Sequence, residues 1–185
     1  ESGTSQIVMS GGIALDDGIL GAQTVLAGGR SISAHVSSGG SVGVGFGAIA
    51  TDTDLASGAI MRVAGTGSAT DVTVGAGAVL TLASGGGGGG ALPGGAVESG
   101  GEVLVGGVDS GTTLESGAFM LVSGGMVSDA VVESGALLVL YDGATASGTV
   151  SAGGQVVSTG VVTISGTTGT YDGNVYSGAA IRGAD

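Results

Sequence analysis

The sequence contains no cysteine, no tryptophan and no lysine, and Pro93 is its single proline. Without cysteine there is no thiol nucleophile, no Cys-ligated zinc and no iron–sulfur cluster. The same absence suits a chain that crosses an oxidising compartment, where stray thiols would pair wrongly. Positive charge is almost missing: three arginines against fifteen acids give a net charge of −12. A nucleic-acid partner needs a basic stripe, so none is expected, and an anionic membrane surface is disfavoured for the same reason. No apolar run reaches the ~20 residues that span a bilayer, so this piece is read as lacking a transmembrane segment. No secretory signal opens it, and it starts and stops in mid-repeat, which predicts a segment of something longer.

What the chain does have is glycine, 44 residues of it, beside 42% apolar residues. That much apolar content argues against a disordered glycine linker. Val, Ile and Leu sit in short runs between glycine pairs, the pattern of many short strands joined by tight turns. No window keeps a helical period, so the chain is expected to be all-β.

The glycines also keep time. Taking the glycine of each "xSG"-like unit gives Gly3, Gly21, Gly39, Gly58, Gly77, Gly100, Gly117, Gly135, Gly153 and Gly178. Their spacings are 18, 18, 19, 19, 23, 17, 18, 18 and 25. A near-constant period means a solenoid, in which each unit buries its apolar face only against its neighbours. The leucine-rich frame is missing, and β residues with small corners predict a parallel β-helix of about ten rungs, one per repeat.

Columns across the repeats support this. The position after the glycine is small in nearly every unit (Ala22, Gly40, Ala59, Ala78, Gly101, Ala118, Ala136, Gly154). The third position holds Gln6, Thr24, Val42, Met61, Leu80, Val103, Met120, Leu138, Val156 and Ile181. The fifth holds Val8, Leu26, Val44, Val63, Leu82, Val105, Val122 and Leu140 before changing to Ser158 and Gly183. Strand side chains alternate faces, so these columns point inward together. Three before the glycine, Val36, Leu55, Val74, Val97, Leu114, Val132, Val150 and Val175 form the opposing wall. The second and fourth columns contain Glu102, Arg62 and Arg182, and an unpaired charge inside an apolar stack is costly, so these columns face out. The whole of 1–185 is read as one solenoid, with loop insertions near 84–95 and 160–174 after which the pattern resumes.

The unit "SGTSQIVMSGG" (Ser2 to Gly12), followed by "IALDDGI", resembles the serine–glycine-rich repeat of AIDA-type self-associating autotransporter adhesins. So do "SGAFMLVSGGMVSDAVV" and "GSATDVTV" (Gly67 to Val74), and the resemblance covers essentially the whole chain. It implies a right-handed parallel β-helix passenger, extracellular and displayed on a Gram-negative surface through a C-terminal β-barrel. It implies adhesion, autoaggregation and biofilm formation, with a second copy or a host or abiotic surface as partner. It also implies O-heptosylation of repeat serines by a protein O-heptosyltransferase.

Individual residues have sharper and plainer readings. Parallel β-helices also host polysaccharide-degrading enzymes, for which Asp16–Asp17 and Asp52 with Asp54 are the candidates; there is no lysine and Arg30 falls one rung from each, so solvated turn acids are the plainer reading. His35 is the only histidine and is expected to face out, without a triad or metal partner. Glu98, Glu115 and Glu133 recur at one corner, where they either hold a cation such as calcium or splay into water. No cofactor, metal or catalytic residue is expected. Ser2, Ser38, Ser57, Ser99, Ser116, Ser134 and Ser177 precede the repeat glycine, where a small hydroxyl can bond neighbouring backbone. By the resemblance they are also the sugar acceptors. Finally, Leu104, Phe119, Leu121, Leu137, Val139 and Val157 lie in the outward columns and predict an exposed apolar ladder, a candidate self-association face. The function read from all this is a cell-surface adhesin passenger segment. The alternatives are a passive stalk or, more distantly, a β-helical polysaccharide-degrading enzyme.

Overall fold

The computed structural model describes residues 4–84, 91–141, 143–158, 161–163, 168–171, 174–177 and 180–182. Strands of two to seven residues are too short to bury anything alone, and they stack into two long parallel ladders. The first has nine strands, from Ser5–Val8 through Ile60–Val63 and Phe119–Val122 to Gln155–Val157. The second is made from the other half of each turn, as in Ile49–Leu55 and Val108–Leu114, and is bent in the middle. The fold is an all-β parallel solenoid, as the repeat predicts.

The core is the lumen between the ladders. Val42, Met61, Leu80, Val103, Met120 and Leu138 are partners in successive rungs, and all are buried. Val44, Val63, Leu82, Val105, Val122 and Leu140 form the next column. Ile19, Val36, Leu55, Val74, Val97, Leu114 and Val132 face them from the second ladder. Each fully buried Val or Leu contributes about 1.5–3 kcal/mol, so stability grows rung by rung.

The corners explain the glycine. Gly39, Gly58, Gly77, Gly100, Gly117, Gly135 and Gly153 have φ between 72° and 91°, a conformation open to glycine at no steric cost. At the bend of the second ladder Asp16, Ser33, Asp52, Asp71 and Asp129 have φ of 50–56°. Short polar side chains tolerate this left-handed region, which is why aspartates recur there.

Several expectations are corrected. In the second rung Gln23 and Val25, not Thr24 and Leu26, occupy the inward columns, and Gly21 rather than Ala22 stands in the small column. The first repeat is 17 residues here (Gln6 opposite Gln23), and a one-residue slip turns every side chain to the other face. Val132 lies opposite Ser151 rather than Val150, because that rung carries one residue more. The insertion near 84–95 is shorter than expected: Ala91–Val97 is already a ladder strand, with Pro93 opposite Ser110. Among the described residues the ladders do not resume after Val157, and nine strands stack in the first ladder instead of ten. Ile181 pairs antiparallel with Val162, and Val175 with Thr170. Gly3, Gly178 and Gly183 lie outside the described residues.

Candidate adhesive and modification surface

The serine column is built by the corner glycines. Ser38, Ser57, Ser99, Ser116 and Ser134 are all exposed at the same corner. Each hydroxyl sits beneath the glycine of the following rung. A Cβ on Gly117 would come 2.7 Å from Ser99 Oγ, and one on Gly135 would come 2.7 Å from Ser116 Oγ. The "SG" pair therefore has a packing reason as well as a turn reason. The hydroxyls do not bond neighbouring backbone as the sequence suggested: none of these five takes part in a hydrogen bond within the protein. Ser2 lies outside the described residues, and Ser177 ends the strand Asn174–Ser177, which pairs antiparallel with Thr168–Tyr171 and not with a ladder strand.

Glu98, Glu115 and Glu133 stand exposed beside the serines. Among the described residues no group of three metal-ligating side chains comes together, there or elsewhere.

The proposed outward ladder is only partly surface. Leu104, Phe119, Leu121 and Leu137 are half-buried, whereas Val139 and Val157 are fully buried, with 0% and 1% exposure. Val139 and Val157 pack together with Phe119, Leu121, Leu137 and Tyr141 in a small cluster outside the lumen. The alternation rule gave the direction of these side chains but not their covering. Strongly exposed apolar residues lie at the other end of the solenoid instead: Ile7, Met9, Ile13, Leu15 and Leu20 are each about 60% exposed. That group was missed because Met9, Ile13, Leu15 and Leu20 lie outside the columns followed along the repeats, and only Ile7 stands in an outward one.

The enzyme candidates do not assemble. Asp16 and Asp52 are bend residues, and Asp52 accepts a hydrogen bond from Ser33 Oγ at 3.0 Å. Asp17 accepts from Gln6 Nε2 at 2.8 Å and, more weakly, from Gln23 Nε2 at 3.4 Å. Gln23 in turn donates to Gln6 at 2.6 Å and accepts from Ser31 at 2.8 Å, so a buried polar pair, Gln23 and Ser31, lies in the lumen there and is linked to the more exposed Gln6 and Asp17. Arg30 is exposed and forms no ion pair among the described residues. His35 faces out as expected but has a partner after all, Asp54 Oδ2 at 2.9 Å from Nδ1. Both side chains are more than half exposed, so the pair adds little stability. An open groove of about 570 Å³ runs past it, with Ser57, Thr73 and Glu98 on its walls. Ser57 makes no hydrogen bond to His35, so no relay of nucleophile, base and orienting acid is formed.

No protein-family model matches the chain, and no curated protein matches it significantly. Among solved structures it is similar to a TibC-catalysed, hyper-glycosylated fragment of TibA. The likeness has a TM-score of 0.52 at 26% identity and covers 85% of this chain and 72% of that one. The two chains share one fold.

Proposed function

We propose that this chain is a rigid segment of a bacterial cell-surface adhesin passenger, glycosylated along its serine corner and self-associating through its sides, with no catalytic step. One observation carries the reading. Five exposed, unbonded hydroxyls recur at one corner of a fold shared with a hyper-glycosylated TibA fragment. The AIDA-type repeat adds the adhesin role, the extracellular location and a heptosyltransferase as modifying partner. Co-expression with a protein O-heptosyltransferase is expected to add heptose increments to the intact mass. A folded variant with Ser38, Ser57, Ser99, Ser116 and Ser134 all changed to alanine loses most of them. Increments undiminished in that variant would remove the serine corner from the proposal.

For self-association the face around Phe119 and Leu137 is favoured over the charged corners, because like-charged solenoids meet best where charge is lowest. Cells displaying the segment should clump, and the double variant Phe119→Ser with Leu137→Ser should not. Half-burial of both side chains predicts a loss of about 2 kcal/mol in the same variant, too little to unfold the solenoid. Clumping that persists in the folded double variant would move the adhesive face elsewhere, the exposed group at Ile7 to Leu20 being next. No clumping by the unaltered segment would favour a passive stalk, and release of fragments from an acidic polysaccharide would favour an enzyme.

A further inference from the structure

Asp109 is the one ionisable side chain among the described residues that is completely buried. It belongs to an inward column of the second ladder, opposite Leu92 in the rung before and Val127 in the rung after. Oδ1 accepts a hydrogen bond from Thr112 Oγ1 at 2.6 Å, and Oδ2 is buried with no partner. Among the described residues nothing nearby offers a compensating charge. The adjoining strands Ala91–Val97 and Met126–Ser128 contain no titratable residue, and Val131–Glu133 brings only Glu133, exposed on the outside. Across the lumen Phe119–Val122 has none, and Glu102–Val105 brings Glu102, whose column faces out. Asp129 is exposed at its bend, and Arg30 and Arg62 belong to distant rungs.

A carboxylate in such a place is costly, whereas a neutral carboxylic acid is tolerated. Burial pushes the Asp109 carboxyl up to about 6, against the opposing hydrogen bonds of Thr112 and the Ser110 backbone. An open surface groove of about 300 Å³ lies beside Val108, the residue before Asp109, and most of its lining is glycine: Gly106, Gly107, Gly124, Gly125 and Gly143.

From this geometry we infer that the rung of Asp109 is a pH-responsive joint of the solenoid. In mild acid the protonated side chain lets the lumen close over it. At neutral pH the ionised carboxylate, with one oxygen unpartnered, loosens the rungs on either side. The direction follows from linkage. A carboxyl that binds its proton more tightly when folded stabilises the fold fully below its unfolded-state value. That contribution is lost as pH rises through about 6. A difference of about two pKa units corresponds to a change on the order of 100-fold in the opening equilibrium.

Thermal melting and limited proteolysis of the whole chain between pH 4.5 and 8 test this. The unaltered protein is expected to melt higher and resist cleavage better at pH 5 than at pH 7.5. Asp109→Asn keeps the shape and removes the titration. It should lose that step and equal or exceed the unaltered protein at pH 7.5. Thr112→Val removes the only side-chain donor, so it should move the step to higher pH. The same pH dependence with and without Asp109 overturns the inference, and so does an Asp109→Asn protein less stable than the original at pH 7.5. A step that Thr112→Val leaves unmoved would likewise count against it.

Discussion

Val122→Asp is expected to destabilise the rungs between Glu102–Val105 and Leu137–Leu140 by about 4 kcal/mol or more, the effect of placing an unpaired charge in an apolar stack. Val122 is fully buried, with Val105 as its partner in one neighbouring rung and Leu140 in the other. Neither can donate a hydrogen bond. Asp109 survives in the same lumen because Thr112 reaches it, and no hydroxyl plays that part at Val122. Circular dichroism should show loss of β structure on mild heating, partly reversed in acid as the new carboxyl takes a proton. Arg62→Ala is the control: this exposed residue sits one position from the inward Met61 and Val63, and its loss should stay within about 0.5 kcal/mol. If the two variants melted alike, the assignment of inward and outward columns would be wrong.

Gly101→Val is expected to be the next most damaging change, at about 3 kcal/mol. A Cβ there would stand 2.6 Å from the Val74 carbonyl oxygen, 3.0 Å from Val97 Cγ1 and 3.1 Å from the Glu98 carbonyl oxygen. The Val74 carbonyl already accepts a ladder hydrogen bond from the Glu98 amide at 2.9 Å. A branched side chain would have to push that rung-to-rung bond apart, and overpacking of this kind costs roughly 1–3 kcal/mol before the bond is counted. The next rung has Ala118 in the same column, buried without difficulty. Ala118→Gly should therefore cost only about 1 kcal/mol, from added chain freedom and one lost methyl. Equal melting losses in the two variants would mean that the column merely prefers small residues and that Gly101 has no special clearance problem.

Much of this fold was legible because the molecule is a repeat. A solenoid is held by neighbours at a fixed distance along the chain, so period, columns and inward parity from Val42 to Leu140 can be read from spacing alone. The same dependence on counting explains the failures. Gln23 and Val25 were misplaced because one short repeat shifts the register, and nothing in local composition marks such a slip. Past Val157 antiparallel strand pairs take the place of another stacked rung, and the spacing of glycines could not tell which would form.

The surface was less legible. That Ser38, Ser57, Ser99, Ser116 and Ser134 share a corner follows from sequence; that their hydroxyls are unbonded depends on how each tucks under the glycine of the next rung. Asp54 was visible only as a possible member of an acid pair, because its contact with His35 joins residues 19 positions apart on adjacent rungs. Likewise the alternation rule pointed Val139 and Val157 outward, but whether an outward side chain is covered is a property of everything packed over it. Asp109 is the clearest case. The sequence determined a parallel β-solenoid with a small-residue corner, an acidic exterior and a serine column. Only the tertiary structure decided that one of those acids lies inside, because a side chain's face depends on register counted from its own bend, and its charge state depends on what surrounds it there.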